Sequence, residues 1–302
     1  MIRNSMKIAI LVLLHEFSDQ QKNLILHLSK DFDVFVHVDK KSPVEPSNVS
    51  VNDRVHVLKK YPVYWGSYNQ ILATLSLFET SSQYDGGYDR YVLISGADLP
   101  LKTNSEIYKF FCGKGCDKNY FEYEKLPRES WKDENGGFDR IDFFFPNVKS
   151  HGVYNFWGYL SYGIINRINR LIVIPLLRRL GIKRRMSIDY YGGANWMDLT
   201  HSCIVKILEF VHSHQKFLRS FKYTRCADEI FFQTLICNYL PDVQIENACL
   251  RYVDFTTGPE SPRILRMSDY EKIKGSRALF ARKFNSKVDS LIIKKLWDDL
   301  KN

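Results

Sequence analysis

The chain has 302 residues, 45% hydrophobic and 25% charged, a globular composition long enough for one large or two small domains. Its formal net charge of +9 suits an anionic ligand or a membrane surface, while spread-out basic residues without zinc spacing or an RNA-binding signature give no nucleic-acid reading. Six cysteines make no metal pattern and four sit in apolar or helical contexts, as free thiols of a reducing compartment do. No apolar run reaches the ~18 residues of a membrane span. The apolar stretch 8–14 is followed by His15 and Glu16 without a small-residue cleavage site, so no signal peptide is expected.

Residues 7–14 are continuously apolar and rich in branched side chains, the pattern of a strand buried on both faces in a parallel sheet. Residues 18–30 repeat at helical period, with Leu24, Ile25 and Leu28 on one side. Residues 33–39 predict a second strand ending in Asp39, and 55–58 a short third. This β-α-β opening predicts ligand binding at the carboxyl ends of the strands, where Asp39 sits; the residue reads equally as an ordinary loop start. No G-x-G-x-x-G follows the first strand, which disfavours a dinucleotide fold. Residues 65–78 predict a helix burying Ile71, Leu72, Leu75 and Phe78, and 90–94 another buried strand. Ser95-Gly96-Ala97-Asp98-Leu99-Pro100 leaves that strand at its carboxyl end, either as exposed chemistry or as a plain connection. Thr103 and Glu106 fit a capping box for a helix through Phe111.

Residues 119–123 and 138–145 read as strands, aromatic and alternating, around a polar loop with Glu122, Glu124, Arg128 and Trp131. The aromatics of 152–162 suit either core packing or sugar stacking. Residues 166–186 form a basic amphipathic segment, broken or kinked at Pro175, that reads as a membrane-surface contact or as a solvated basic face. Gly192-Gly193 marks a turn into a short apolar strand, and Thr200 is a candidate N-cap for a helix through Phe210. Asp228 and Glu229 open an apolar segment at helical spacing. A helix starting near Asp228 would carry both acids on its first turn, where the macrodipole favours negative charge. Residues 243–255 predict two short strands around Asn247, Ser268 and Glu271 a second capping box, and 289–300 a closing amphipathic helix. With no repeat, low-complexity tract or linker, one domain over 1–302 is expected.

Seven segments in order resemble the core-2/I-branching β-1,6-N-acetylglucosaminyltransferases, glycosyltransferase family 14, which include the peptide O-xylosyltransferases. They are His37-Val38-Asp39-Lys40-Lys41, Trp65-Gly66-Ser67, the run Ser95 to Lys102, the run Phe121 to Pro127, Gly192-Gly193-Ala194-Asn195-Trp196, Ala227-Asp228-Glu229 and the run Leu279 to Phe284. The resemblance implies a GT-A-type α/β fold, a Rossmann-like mixed sheet flanked by helices, with a nucleotide-binding half over about 1–115 and an acceptor half over about 116–302. It implies inverting transfer of N-acetylglucosamine or xylose from a UDP-sugar to a glycan hydroxyl, with basic side chains in place of a divalent metal and no further cofactor. No Asp-x-Asp stands at a strand end: Asp31-Phe32-Asp33 precedes a strand. Carried over motif by motif, Glu229 matches the catalytic base. Asp39, Lys40, Trp65 and Lys283 fall on the donor, with Arg263 as the diphosphate arginine and Arg266 as its alternative. Glu122, Asp98, Trp196 and Asp228 fall on the substrate side. A bacterial cytoplasmic enzyme is expected, making surface glycan on a lipid-linked acceptor at the inner membrane face, with 166–186 as the docking segment. The alternative is a non-catalytic glycan- or lipid-binding protein that keeps the fold.

Overall fold

The structure is a computed structural model that describes residues 6–113, 116–145, 164, 167–256 and 262–301. The aromatic stretch 152–162 lies outside the described residues. The apolar run near the start forms β1 (Ile8–Leu14), paired in parallel with β2 (Asp33–Val38) on one side. β3 (Val55–Leu58) continues the parallel set beyond β2, and β4 (Arg90–Ser95) flanks β1 on its other side. Leu11 thus stands between Phe35 and Leu93. Successive side chains of a strand point to opposite faces. Ile8, Ile10, Val12 and Leu14 therefore pack with Leu24, Ile25 and Leu28 of the Asp19–Leu28 helix, while Ala9 and Leu11 pack with Ile71, Leu75 and Phe78 of the Tyr68–Gln83 helix. Both faces are covered, which is why the strand reads as unbroken apolar sequence; each fully buried Leu or Ile contributes roughly 1.5–3 kcal/mol.

Past β4 the chain adds β5 (Asp98–Pro100), β6 (Asn119–Phe121) and β7 (Glu124–Lys125). β8 (Tyr191–Gly192) pairs with β7 in a small antiparallel ribbon, and β9 (Met197–Thr200) runs antiparallel between β4 and β6. β10 (Ile245–Glu246) closes the far edge, completing a seven-stranded mixed sheet of order β10-β6-β9-β4-β1-β2-β3. β11 (Arg251–Val253) and β12 (Phe280–Arg282) join β5 in a second, three-stranded sheet. The mixed α/β architecture expected for the resemblance is present: a mixed sheet with helices packed on it.

Helix starts follow their local signals. Ser18 and Gln21, and Thr103 and Glu106, form capping boxes, Thr200 accepts from the Cys203 amide, and Asp289 caps the closing Ser290–Asp299 helix. Three expectations are corrected. Residues 138–145 are not a strand: Phe138–Asp142 is a short helix. It puts Ile141 into the core and turns Asp139, Arg140 and Asp142 toward charged partners, and those contacts override the aromatic alternation. The acids at 228–229 do not lie on the first turn of an α-helix. Ala227–Glu229 is a separate 3-10 turn after the left-handed Cys226 (φ 48°), and the α-helix is Phe231–Tyr239. The Ser268–Glu271 box is also absent: Asp269 instead accepts from the Arg266 amide and from Arg263. Pro175, expected to break or kink the basic segment, leaves the helix unbroken but preceded by a distorted turn. The turn Asn169–Val173 widens so that the Ile174 amide bonds the Asn169 carbonyl, and the helix runs on through Ile174–Arg179.

Candidate active site

The 3-10 turn at 227–229 is held from three directions. Gly66 (φ 63°) lets the loop before the Tyr68–Gln83 helix approach closely: a side chain there would stand 3.1 Å from the Cys226 Sγ. The Gly193 amide donates to the Glu229 carbonyl at 2.9 Å. Asn195 Nδ2 donates to Asp228 Oδ2 at 2.7 Å. Asp228 is buried and its Oδ1 has no hydrogen-bond partner among the described residues. Burial and then the neighbouring Glu229 push its carboxyl up to about 7.

Glu229 points the other way. Its side chain remains 36% accessible, and Arg140 Nη1 donates to its Oε2 at 2.7 Å. Burial pushes the Glu229 carboxyl up, against the opposing pull of Arg140. Arg140 is itself fixed. Its guanidinium lies 3.9 Å above the Trp131 ring, and its Nε donates to Glu134, which also pairs with Arg225 at 2.9 Å. Arg225 lies 5.9 Å from the ring of Trp65, an indole 58% exposed beside the site. On the other flank Arg128 stacks on Trp131 at 4.6 Å and pairs with Glu122 at 2.6 Å and Glu124 at 3.3 Å.

A second group gathers at the carboxyl ends of the parallel strands, where open α/β sheets bind ligands. Asp39 follows β2; its Oδ1 accepts from the Lys41 and Val63 amides, and Lys41 Nζ meets its Oδ2 at 2.5 Å. Lys40 is exposed beside it. Asp98, fully buried, accepts from the Ser95 amide at 2.8 Å and hydroxyl at 3.0 Å and pairs with Arg282 at 2.9 Å. Arg282 covers the buried Trp196 ring at 4.0 Å. Next to it, burial first and then Arg282 hold the Lys283 ammonium below the ordinary lysine range, with Asp98 opposing. Among the described residues Lys283 has no carboxylate partner. Its backbone is tightly held: its carbonyl accepts from Leu265, Phe284 donates to Ala97, and buried Gln20 bonds both Phe284 O and the Ser286 amide.

The two groups meet through Asn195-Trp196, one residue on Asp228 and the next under Arg282. Arg263 stands apart. Its guanidinium is engaged by Asp254 at 2.7 Å and by Asp269 at 2.8 Å, and Arg266 is exposed. Sequence reasoning passed over Arg140, Glu134, Asn195 and Arg282. Asn195 and Arg282 lie inside quoted motifs, beside Trp196 and Lys283. Arg140 was hidden in a stretch read as strand, although Phe138 and Ile141 at i, i+3 carry a helical signal.

Comparison with known proteins bears on this arrangement. A family model described as the core-2/I-branching enzyme matches residues 14–274. No curated protein matches the chain. A solved structure, the mannosyltransferase Ktr4p from S. cerevisiae, is similar over 75% of this chain and 66% of that one, at 13% identity and a TM-score of 0.27. A likeness that low decides nothing about the site. The family match covers the Glu229 group, Asp39, Asp98 and Trp196 and runs through the Asp254–Arg263–Asp269 cluster, ending before Arg282 and Lys283, and the chain belongs to the core-2/I-branching enzyme family of glycosyltransferases.

Proposed function

We propose that this glycosyltransferase moves N-acetylglucosamine or xylose from a UDP-sugar to a glycan hydroxyl with inversion and without a divalent metal. The observation that carries the reading is the partly open Glu229 carboxylate, its proton affinity raised by burial, joined through Asn195-Trp196 to the segment of Arg282 and the desolvated Lys283, which has no carboxylate partner among the described residues. A general base works best when its pKa approaches the working pH. Glu229 takes the proton of the acceptor hydroxyl as that oxygen bonds the anomeric carbon. The bond to UDP breaks, its electron pair leaves on the diphosphate, and Lys283 and Arg282 meet the added charge. Asp39, Lys40 and Trp65 hold the nucleotide, and Glu122 and Trp196 border the acceptor. Asp98 acts through Arg282, since Ser95 and Arg282 engage its carboxylate. Asp228 keeps the turn in place through Asn195. Arg263, joined to Asp254 and Asp269, holds the loop whose Leu265 amide donates to the Lys283 carbonyl. We place the reaction in the bacterial cytoplasm, on a lipid-linked oligosaccharide of surface-glycan synthesis, a setting that the net charge of +9 suits.

The test uses purified protein, UDP-sugars and EDTA. Glu229→Gln should lower kcat by about 10² or more while UDP still raises the melting temperature. Lys283→Met should lose that UDP stabilisation, and EDTA should leave it intact in the parent. Full turnover by Glu229→Gln removes the base, and a strict manganese requirement removes the metal-free chemistry.

A further inference from the structure

The helix over 167–179 is built inside out. Its protein-facing side holds Asn169, whose amide donates to the Phe144 carbonyl at 3.2 Å, and Ile174. Its outward side is apolar: Leu171 and Ile172 are 63% and 61% exposed, and Ile168, Leu176 and Leu180 continue the stripe. A core helix buries such a face. Around it stand exposed Arg167, Arg179 and Lys183, and no acidic residue occurs anywhere between Asp142 and Asp189. The other described cations of the segment are engaged by the protein and anchor it. Arg178 pairs with Asp139, Arg185 with Asp142 at 3.2 Å, and Arg184 bonds the Phe143 carbonyl at 3.1 Å and Thr224 Oγ1 at 2.6 Å. All three fasten onto or just beyond the Phe138–Asp142 helix, whose Arg140 reaches Glu229.

We propose that this face docks on an anionic lipid surface. The apolar stripe enters the boundary between headgroups and acyl chains while Arg167, Arg179 and Lys183 meet lipid phosphates. Charge chooses this occupant over a second copy of the chain, because a self-paired face would bring the same cations against one another with no carboxylate between them. Among the described residues no helix is long and apolar enough to cross a membrane, so the contact is a surface one. The anchoring pairs hold the Glu229 site beside the docked face, within reach of an acceptor carried by lipid. Docking does not depend on the sugar transferred, and its failure would leave the transfer chemistry standing.

The experiment is sedimentation of the whole chain with two kinds of vesicle: phosphatidylglycerol mixed with phosphatidylcholine, and phosphatidylcholine alone. Binding to the first at low salt, weakened by added salt and much lower on the second, is expected. Each exposed cation contributes roughly fivefold, so Arg167→Gln/Arg179→Gln/Lys183→Gln should lower partitioning at least about tenfold. Leu171→Gln/Leu176→Gln should do the same through the lost apolar area. Both sets are solvent-facing and should leave the melting temperature and transfer to a soluble acceptor unchanged. No sedimentation, equal binding to both vesicles, or a stable dimer dissolved by the leucine changes overturns the proposal.

Discussion

Glu229 is subject to two opposing influences. Burial raises its pKa and the guanidinium of Arg140 lowers it. Arg140 cannot turn away easily, because Trp131 lies under its plane and Glu134 takes its Nε. The carboxylate proposed as the base is therefore aimed by a side chain that also favours its ionised form. An opposite charge this close lowers a carboxyl pKa by about 1–3 units. A base must be deprotonated to act, so the sign follows. Arg140→Gln raises the Glu229 pKa, and the acidic limb of kcat/KM should move to higher pH by about one unit or more. The pH profile of the variant, recorded beside its KM for the donor, tests this. A limb that stays in place with a uniformly lower rate would make Arg140 a packing residue only.

At the scale of elements, the β7–β8 ribbon sets how the turn at 227–229 meets the Glu122 loop. Gly193, just past β8, has its Cα so close to the neighbouring chain that an added Cβ would lie 1.9 Å from the Glu122 carbonyl oxygen. Its amide holds the Glu229 carbonyl at 2.9 Å. Gly193→Ala must therefore push the Glu122 loop and the Glu229 turn apart. A cost of about 1–3 kcal/mol is expected from such overpacking. Activity should fall further than Gly181→Ala, an exposed glycine with open space around its Cα, although Gly181 sits at a positive φ. Urea unfolding and turnover of the two variants compare them directly. Equal losses in activity would mean that the close approach does not govern the site. Paired glycines in the sequence mark a turn or an approach, and only the neighbouring carbonyl decides which.

Across the whole molecule, one ion pair ties the two larger sheets together. Arg251 on β11 reaches Asp198 on β9, with both side chains fully buried, and also donates to the Leu93 carbonyl of β4 at 2.7 Å. Removing one partner of such a pair leaves an uncompensated charge and costs about 3–5 kcal/mol. Arg251→Met should lower urea stability by that amount, and Arg251→Met/Asp198→Leu should recover much of it. A single change as mild as a surface substitution would show that the sheets are held by apolar packing alone. The three-stranded sheet carries β12, and Lys283 follows it directly, so the junction bears on where Lys283 stands.

The parallel sheet and its helices were legible in the amino-acid order because they follow from periodicity: runs such as 8–14, and polar caps such as Thr103 and Thr200, act over a few residues. The motifs around Glu229 and Lys283 were likewise visible as short strings. What no local pattern carried is the pairing of distant charges. Arg140 and Glu229, Arg282 and Asp98, Arg263 with Asp254 and Asp269 all depend on where the chain returns after long excursions. The same holds for the Phe138–Asp142 helix, where ion pairs outweighed an alternating pattern, and for the basic segment. Its composition announced an amphipathic helix, but only tertiary structure tied Arg178, Arg184 and Arg185 to the protein and left Leu171, Leu176 and Leu180 exposed. Hydrophobic patterning is a property of neighbours in sequence, whereas electrostatic complementarity is a property of neighbours in space.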